Sequence, residues 1–393
     1  MTLLPMILTG FAVVTAGPTV LLLCECVAGA FAPRPARPAP TKRTARVAVV
    51  IPAHDEAAGI GATLDGVLAQ ISDGDRVVVV ADNCADATAA VARDHGAEVV
   101  ERMDPQRCGK GYALALGFAR VLEDPEVSVV IVVDADCRLT EVTIDHLADA
   151  ALRLGRPIQA DNVVECRADD PLARLSVFAF RLRNRLRPRG LARLGGPCHL
   201  AGTGMAFLRR HLRDAPHMCG HLAEDLALGV ELALSGHVPA FCEDAGVRSD
   251  LSPTRDGREM QRRRWERGHL ITLGTTVPRM ILGAVRRRSP QLGLGAMDLG
   301  IPPLSAHVAL LLTGFGASAV AMALGMSAVP AALWAGELTM VGVSVGVGYL
   351  AVGRDVLHPK DLPAISLYLA TRLFSHVRWT VDRKSSVWLR AKR

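Results

Sequence analysis

The sequence has long stretches that contain almost no charge. Glu25 is the only charged residue in residues 1–32, and Glu337 is the only one in residues 299–353. Each stretch exceeds the roughly 20 residues that a helix needs to cross a bilayer. Half of the 393 residues are hydrophobic, which excludes a disordered chain and argues against an ordinary cytosolic enzyme. We therefore expect a membrane protein with a water-soluble middle.

The sequence also has no Cys-x-x-Cys pair among its nine cysteines. We therefore predict reduced thiols that face the cytoplasm, and neither a disulfide framework nor a zinc site. Helix-turn-helix, zinc-finger and aromatic RNA-binding signatures are absent as well. The net charge of +6 is thus not taken to indicate a nucleic-acid partner.

The basic residues instead flank the apolar stretches, and their positions predict the topology. Residues 1–32 predict an uncleaved transmembrane anchor with its N-terminus outside, because the basic residues follow it: Arg34, Arg37, Lys42, Arg43 and Arg46. Residues 304–352 predict a transmembrane hairpin joined near 327–330, with both ends in the cytoplasm. Glu337 and His307 lie in these spans, which indicates either a function or a hydrogen bond to a neighbouring helix. We expect a multi-pass protein of the cell (inner or plasma) membrane.

Two further segments mix apolar residues with arginine, a pattern typical of helices that lie along membrane headgroups. They are His269–Leu282 and Ile365–Trp379. We therefore assign residues 276–303 to an interfacial segment and residues 353–393 to a basic cytoplasmic tail with an interfacial helix. Ordinary packing helices are the alternative, so contact with membrane lipid stays a prediction.

Residues 44–275 alternate short β-branched runs with helical patterns. The runs predict strands at Val47–Pro52, Val77–Ala81, Glu98–Glu101 and Val127–Val133, with helices at Ala57–Gln70, Ala85–His95 and Lys110–Leu122. Continuous apolar strands separated by helices predict an α/β domain with a mostly parallel sheet covered on both faces. Ligands of such sheets bind beyond the carboxyl ends of the strands, so the polar residues there are the candidate site.

Acidic residues follow three of the predicted strands. Asp55 and Glu56 follow the first, Asp82 follows the second, and Asp134 and Asp136 follow the fourth. An extended backbone would point the last two carboxylates the same way. Hard oxygen ligands in that arrangement suit Mg²⁺ or Mn²⁺, which can bridge to a diphosphate. A solvated acidic turn is the alternative.

Seven motifs in chain order carry a family resemblance. They are Val49–Glu56 (VVIPAHDE), Ala81–Thr88 (ADNCADAT), Gly109–Leu114 (GKGYAL), Asp134–Cys137 (DADC), Ala201–Phe207 (AGTGMAF), Ala223–Asp225 (AED) and Gln261–Trp265 (QRRRW). On these motifs the chain resembles the inverting family-2 glycosyltransferases, a membrane group that includes cellulose, chitin and hyaluronan synthases. The resemblance runs from about Arg46 through the C-terminal hairpin. It implies a GT-A (Rossmann-like) fold and a nucleotide-sugar donor, usually a UDP-sugar.

The resemblance also implies roles on the donor side. Asp82 and the backbone at Pro52–Glu56 would hold the uridine and ribose. Asp134 would contact the donor, and Asp136 would hold the metal on its diphosphate. For Lys110, the residues themselves also indicate phosphate binding, since a lysine between two glycines can approach phosphate oxygens closely.

On the acceptor side, the family pattern makes Asp225 the catalytic base. Ala223 replaces the usual threonine before it, which weakens a supporting contact. Acidic residues at a helix N-terminus are also common caps, which is the alternative. The other acceptor-side residues are Glu224, Gly202, Thr203 and Gly204.

Gln261, Arg264 and Trp265 have the spacing i, i+3 and i+4, which places them on one helical face. A guanidinium can stabilise a departing diphosphate, and an indole can stack on a sugar ring. In the family, this pattern accompanies synthases that extend a polymer. A basic interface helix is the alternative.

The resemblance implies one inverting displacement, with a growing exopolysaccharide or related glycan as the leading acceptor and a lipid as the alternative. The Gln-x-x-Arg-Trp pattern favours a growing exopolysaccharide, which three spans would export only with partner proteins. The small number of spans favours transfer of one sugar to a polyprenyl phosphate or other lipid. A non-catalytic membrane assembly factor is a third hypothesis, and the intact set of acidic residues argues against it.

Overall fold

The computed structural model describes residues 3–31, 43, 45–166, 169–213, 223–252 and 254–368. The predicted basic flank at 33–42 and the tail from residue 369, with most of its predicted interfacial helix, lie outside the described residues.

The strands are β1 (Arg46–Ala53), β2 (Arg76–Asp82), β3 (Glu98–Arg102), β4 (Val127–Val132), β5 (Cys137–Leu139), β6 (Ile158–Glu165), β7 (Met205–Leu208) and β8 (Ala240–Asp250). The helices are α1 (Leu3–Phe31), α2 (Ile60–Leu68), α3 (Thr88–Asp94), α4 (Lys110–Leu122), α5 (Thr143–Leu154), α6 (Pro171–Arg181), α7 (Arg187–Arg193), α8 (Arg209–Arg213), α9 (Glu224–Leu234), α10 (Arg255–Arg287), α11 (Pro290–Leu299), α12 (Leu304–Ala323) and α13 (Val329–Gly348).

The strands form one sheet in the order β3-β2-β1-β4-β7-β6-β8-β5. The first four strands in this order are parallel, and β6 is parallel to β8. β7 runs antiparallel to both of its neighbours, and β5 runs antiparallel to β8. The predicted α/β class is confirmed, but the sheet is mixed, because β5 and β7 reverse its direction. These strands have only three and four residues, too few to show a pattern in the sequence.

β1 shows why the sheet is buried on both faces. Val47, Val49 and Ile51 belong to one hydrophobic core, whereas Ala48 and Val50 belong to the other. Successive side chains of a strand point to opposite faces. Helices α2 and α5 cover the first face, and α4 and α9 cover the second. Polar side chains are therefore left to the ends of the strands.

Three helices are long and apolar enough to span a membrane: α1, α12, and α13 with its π-helical extension to Gly353. They coincide with the predicted anchor and hairpin. The Glu337 carboxylate on α13 accepts hydrogen bonds from Thr15 and Thr19 of α1, at 3.0 and 2.9 Å. The Thr19 hydroxyl also lies 3.0 Å from Nε2 of His307 on α12. Buried polar side chains thus join all three helices.

α6 and α7 form a helical segment that joins the sheet domain to α1. The π-helical stretch Leu182–Leu186 lies between them, and leucines at both of its ends pack against the apolar helices. Gly190 touches α1 so closely that any side chain there would collide with the carbonyl of Glu25. Nε of Arg187 donates to the Glu25 carboxylate at 2.8 Å, and Arg187 also pairs with Asp298 of α11.

α10 is 33 residues long and passes through the predicted boundary at residue 275. The predicted interfacial segment His269–Leu282 lies entirely within it. The chain therefore continues as one helix from the motif-bearing residues near Gln261 to the arginines near α11.

Candidate active site

The loops after β1 and β2 are fastened to each other. The carboxylate of Asp55 accepts a hydrogen bond from the amide of Ala85 at 2.6 Å, and Nδ1 of His54 lies 2.7 Å from the carbonyl of Asp82. His54, Asp55 and Cys84 place possible metal-ligand atoms within 4.8 Å of one another. Burial raises the pKa of the Cys84 thiol, which disfavours the thiolate that a metal needs. We therefore interpret His54, Asp55 and Cys84 as structural contacts that hold the two loops together, and not as a metal site.

Asp82 ends β2 and is buried. Nη1 of Arg102 donates to its carboxylate at 2.6 Å, and the Arg102 guanidinium lies 5.1 Å from the ring centre of Tyr112. Pro52 is buried at the end of β1, and the amide of Glu56 donates to the Thr88 hydroxyl at 2.7 Å. Sequence reasoning missed Arg102. A charged residue at the carboxyl end of β3 is the signal that could have found it.

Asp134 and Asp136 lie in the turn between β4 and β5. Both are half-buried, whereas Ala135 between them is in the core. Ligand atoms of Asp134, Asp136 and Cys137 lie within 4.8 Å of one another. Burial and then the two carboxylates raise the pKa of the Cys137 thiol well above its usual range, so it stays neutral. The two carboxylates are therefore the candidate ligands, and their oxygens could hold a hard cation such as Mg²⁺ or Mn²⁺.

Lys110 begins α4, immediately after Gly109, whose φ of 137° is open to glycine but strained for other residues. Its ammonium nitrogen lies 2.5 Å from Oδ1 of Asp134 and donates to the carbonyl of Gly202 at 2.7 Å. Burial lowers the pKa of Lys110, but the carboxylates of Asp134, Glu224 and Asp225 outweigh burial and raise it. Lys110 therefore stays charged and links the turn after β4 to the Gly202 segment.

Glu224 and Asp225 form the first turn of α9. Burial and then Asp225 raise the pKa of Glu224 to about 7, although Lys110 opposes this shift. A side chain at Gly202 would have its Cβ 3.2 Å from Oδ2 of Asp225 and 3.3 Å from Nζ of Lys110. The structure thus brings together the predicted base, the acceptor-side glycine and the lysine.

The Gly202-Thr203-Gly204 segment connects this group to the acidic turn. The amide of Asp134 donates to the Thr203 hydroxyl at 3.0 Å, and that hydroxyl donates to the sulfur of Cys137 at 3.5 Å. Both glycines have positive φ, 84° and 65°. A Cβ at Gly204 would lie 2.7 Å from side chains of β6 and β8, so only glycine fits there.

The three predicted residues of α10 have different surroundings. Oε1 of Gln261 is buried and has no hydrogen-bond partner among the described residues. Trp265 is half-buried and packs on Phe180 of α6, with ring centres 5.2 Å apart. Arg264 is exposed and forms no ion pair with a carboxylate of the described chain. The structure therefore does not join these residues directly to the acidic group.

Residues 45–268 match the family model described as glycosyltransferase like family 2. Among solved structures, the mannosyltransferase PcManGT from Pyrobaculum calidifontis, in complex with GDP-Man and Mn²⁺, has a TM-score of 0.50 and 19% identity. The match covers 88% of this chain and 97% of that one. Glucosyl-3-phosphoglycerate synthase from Mycobacterium tuberculosis, solved with Mn²⁺, UDP and phosphoglyceric acid, matches at 0.39 and 22%, over 60% and 83% of the two chains.

No curated protein matches this chain. The similarity to PcManGT shows the fold and confirms the predicted GT-A architecture. The family match covers the sheet domain and the first part of α10, and so includes every motif on which the resemblance rested. The chain therefore belongs to glycosyltransferase family 2.

Proposed function

We propose that the chain transfers a sugar from a nucleotide-sugar donor to an acceptor hydroxyl, with inversion at the anomeric carbon. The observation that carries this proposal is the position of Lys110 between Asp134 and Gly202. Asp225 lies beside Gly202. A sugar bound across Lys110 would have the acidic turn at its phosphate end and the Asp225 carboxylate, whose Oδ1 accepts from the amide of Leu226 at 2.8 Å, at its acceptor end.

In the proposed reaction, the acceptor oxygen attacks the anomeric carbon while the bond to the nucleoside diphosphate breaks. Asp225 takes the proton of the attacking hydroxyl. Lys110 and the exposed Arg264 are proposed to stabilise the negative charge that develops on the leaving diphosphate. Asp136, with Asp134, would hold Mg²⁺ or Mn²⁺, which supplies further positive charge to that diphosphate.

The donor is proposed to be a UDP-sugar, held by the loops after β1 and β2, which hydrogen bonds join to each other. The two solved structures carry different nucleotides, GDP-Man in one and UDP in the other, and both contain Mn²⁺. A test must therefore include uridine and guanosine donors.

The acceptor is proposed to reach the site from the membrane, at its cytoplasmic face. The direct packing of α7 on α1, at Gly190 and Glu25, supports this proposal, because it places the sheet domain against the apolar helices. A lipid acceptor fits this arrangement. Extension of an exopolysaccharide is the second candidate, and the Gln261-x-x-Arg264-Trp265 pattern favours it.

The test uses the full chain in detergent with Mg²⁺ or Mn²⁺, membrane lipids, and a panel of UDP- and GDP-sugars. We expect release of nucleoside diphosphate with one donor, and a product whose new linkage has the opposite anomeric configuration. Mass analysis of the product separates single transfer to a lipid from extension of a polymer. Retention of configuration, or no release with any donor, would contradict the proposal.

A further inference from the structure

Residues 197–202, between α7 and β7, are confined by two helices. A Cβ at Gly295 of α11 would lie only 2.6 Å from Cγ of Pro197, so α11 packs directly on the start of this segment. A Cβ at Gly229 of α9 would lie 3.1 Å from Cγ of Leu200, so α9 packs on its middle. The segment therefore has little room to shift unless α9 or α11 moves with it.

The end of the same segment lies at the candidate active site. The carbonyl of Gly202 accepts from the ammonium of Lys110 at 2.7 Å, and a Cβ at Gly202 would lie 3.2 Å from Oδ2 of Asp225. Gly229 is one helical turn after Asp225, so both residues are on one face of α9. The segment thus follows the face of α9 that bears the proposed base.

Polar contacts fix this segment at two positions. The amide of Ala201 donates to Oε1 of Gln159 in β6 at 2.8 Å. At α11, Nε2 of His199 lies 2.8 Å from Oδ2 of Asp298, a buried residue. The segment is therefore joined to the sheet through Ala201 and to α11 through His199.

Asp298 also pairs with Arg187 of α7 through its other carboxylate oxygen, and Nε of Arg187 donates to Glu25 of α1 at 2.8 Å. Burial raises the pKa of Asp298, but Arg187 and His199 outweigh burial and lower it. The Asp298 carboxylate therefore stays ionised and accepts from both neighbours. These contacts run without a gap from α1 to residues 197–202.

We propose that Asp298 is a positioning residue for the transfer reaction. Through His199 it holds residues 197–202 in the place that sets Gly202 beside Asp225, and the same contacts let α1 act on the site. This inference rests on the proposed function of Asp225. A displacement of about 1 Å at a reacting group can lower turnover about 10²-fold, so a contact outside the site can still affect the rate.

The experiment uses the full chain in detergent, a membrane extract as the source of acceptor, and the donor that the wild type turns over. His199→Leu removes the contact with Asp298, whereas the amide of His199→Gln can still donate to it. Asp298→Asn and the double variant His199→Leu/Asp298→Asn complete a double-mutant cycle. The matched control is Glu337→Gln, because Glu337 is also buried and also contacts α1, through Thr15 and Thr19.

We expect His199→Leu and Asp298→Asn each to lower kcat at least about tenfold. Affinity for the nucleoside diphosphate should stay within about threefold of the wild type, because Lys110 keeps its contact with Asp134. His199→Gln should recover part of the loss. The double variant should be no worse than either single variant, since all three lose the same contact. Glu337→Gln should match the wild type.

Four results would overturn the inference and leave the proposed function standing. They are an unchanged kcat of His199→Leu, additive losses in the double variant, an equal loss of kcat and nucleotide affinity, and a loss of kcat in Glu337→Gln as large as that in Asp298→Asn. Unfolding midpoints are measured for every variant, and a lower midpoint with unchanged kcat would assign the contact to stability alone. If the wild type turns over no donor, the proposed function is overturned together with the inference.

Discussion

The ammonium nitrogen of Lys110 lies 2.5 Å from Oδ1 of Asp134, where the turn after β4 meets the start of α4. Glu224 and Asp225 of α9 also act on this lysine. One cation thus interacts with three acidic side chains, and Asp136 lies close to Asp134. Removal of the Lys110 charge would leave these acidic side chains without the cation that they share.

Replacement of Lys110 by Met keeps the length of the side chain and removes its charge. We expect affinity for the nucleotide sugar to fall at least about tenfold, which corresponds to about 1.4 kcal/mol. The reason is that the diphosphate would then face the acidic residues without this counter-charge. Calorimetric titration with donor and Mn²⁺ measures the change. Lys110→Arg, which keeps the charge, is the control, and an unchanged affinity of Lys110→Met would contradict the prediction.

Replacement of Asp225 by Asn keeps the shape of the side chain and removes the proposed base. Turnover should fall by about 10²- to 10⁴-fold, the usual contribution of a general base, with donor affinity retained. Glu231→Gln is the matched control, because Glu231 lies on the same helix and pairs with Arg279 at 2.6 Å. Near-normal turnover of Asp225→Asn would exclude its role as base.

The raised pKa of Glu224 predicts how the unfolding free energy should change with pH. Burial and Asp225 raise its pKa from 4.5 to about 7, so the folded protein binds this proton more tightly than the unfolded chain does. The resulting stabilisation is complete below the unfolded pKa and is lost as the pH rises through about 7. From about pH 5 to about pH 8, the unfolding free energy of the wild type should therefore decline more steeply than that of Glu224→Gln. Denaturant titrations at several pH values test this, and parallel curves for the two proteins would refute it.

We expect substitutions of two neighbouring residues in the turn after β4, Asp136 and Cys137, to have different effects on Mn²⁺-dependent nucleotide affinity. Asp136→Ala should abolish the Mn²⁺-dependent part of nucleotide affinity, because it removes one of the two proposed carboxylate ligands. Cys137→Ser should keep it, since burial raises the pKa of the Cys137 thiol and so disfavours the thiolate that would bind a metal. Titrations of UDP with and without Mn²⁺ distinguish the two variants. Loss of metal dependence in Cys137→Ser would mean that the sulfur binds the metal.

The polar contacts among the apolar helices predict a stability effect far from the site. Glu337→Ala removes the acceptor of two hydrogen bonds, from Thr15 and Thr19. At about 0.6 kcal/mol for each interhelical bond, the loss should be about 1 kcal/mol. Ser318→Ala is the control, because its buried hydroxyl oxygen has no partner in the described chain. Unfolding in detergent compares them, and an equal effect of both changes would contradict the prediction.

The sequence predicts the parts of the fold that depend on local patterns. The apolar runs of β1 to β4 lie where expected, because buried parallel strands are continuous β-branched segments. The polar residues after them meet at one edge, as the rule for such sheets requires. β5 and β7 are too short to produce a pattern, and the break placed at residue 275 has no counterpart in α10.

The sequence can single out a candidate site residue where a motif contains it, but it cannot give the contacts of that residue with distant positions. The flanking glycines single out Lys110, whereas its hydrogen bond to the carbonyl of Gly202 joins positions 92 residues apart. The role of Lys110 stays a prediction.

The close approach of Gly190 to the carbonyl of Glu25 has a consequence for the engineering of this protein. α1 is not an interchangeable anchor, because its backbone forms part of the surface on which α7 packs. A truncated form without residues 1–32 would leave Arg187 without Glu25 and expose the leucines of the π-helical stretch to water. A soluble form obtained by this truncation would therefore lose the support of α7 and of the π-helical stretch.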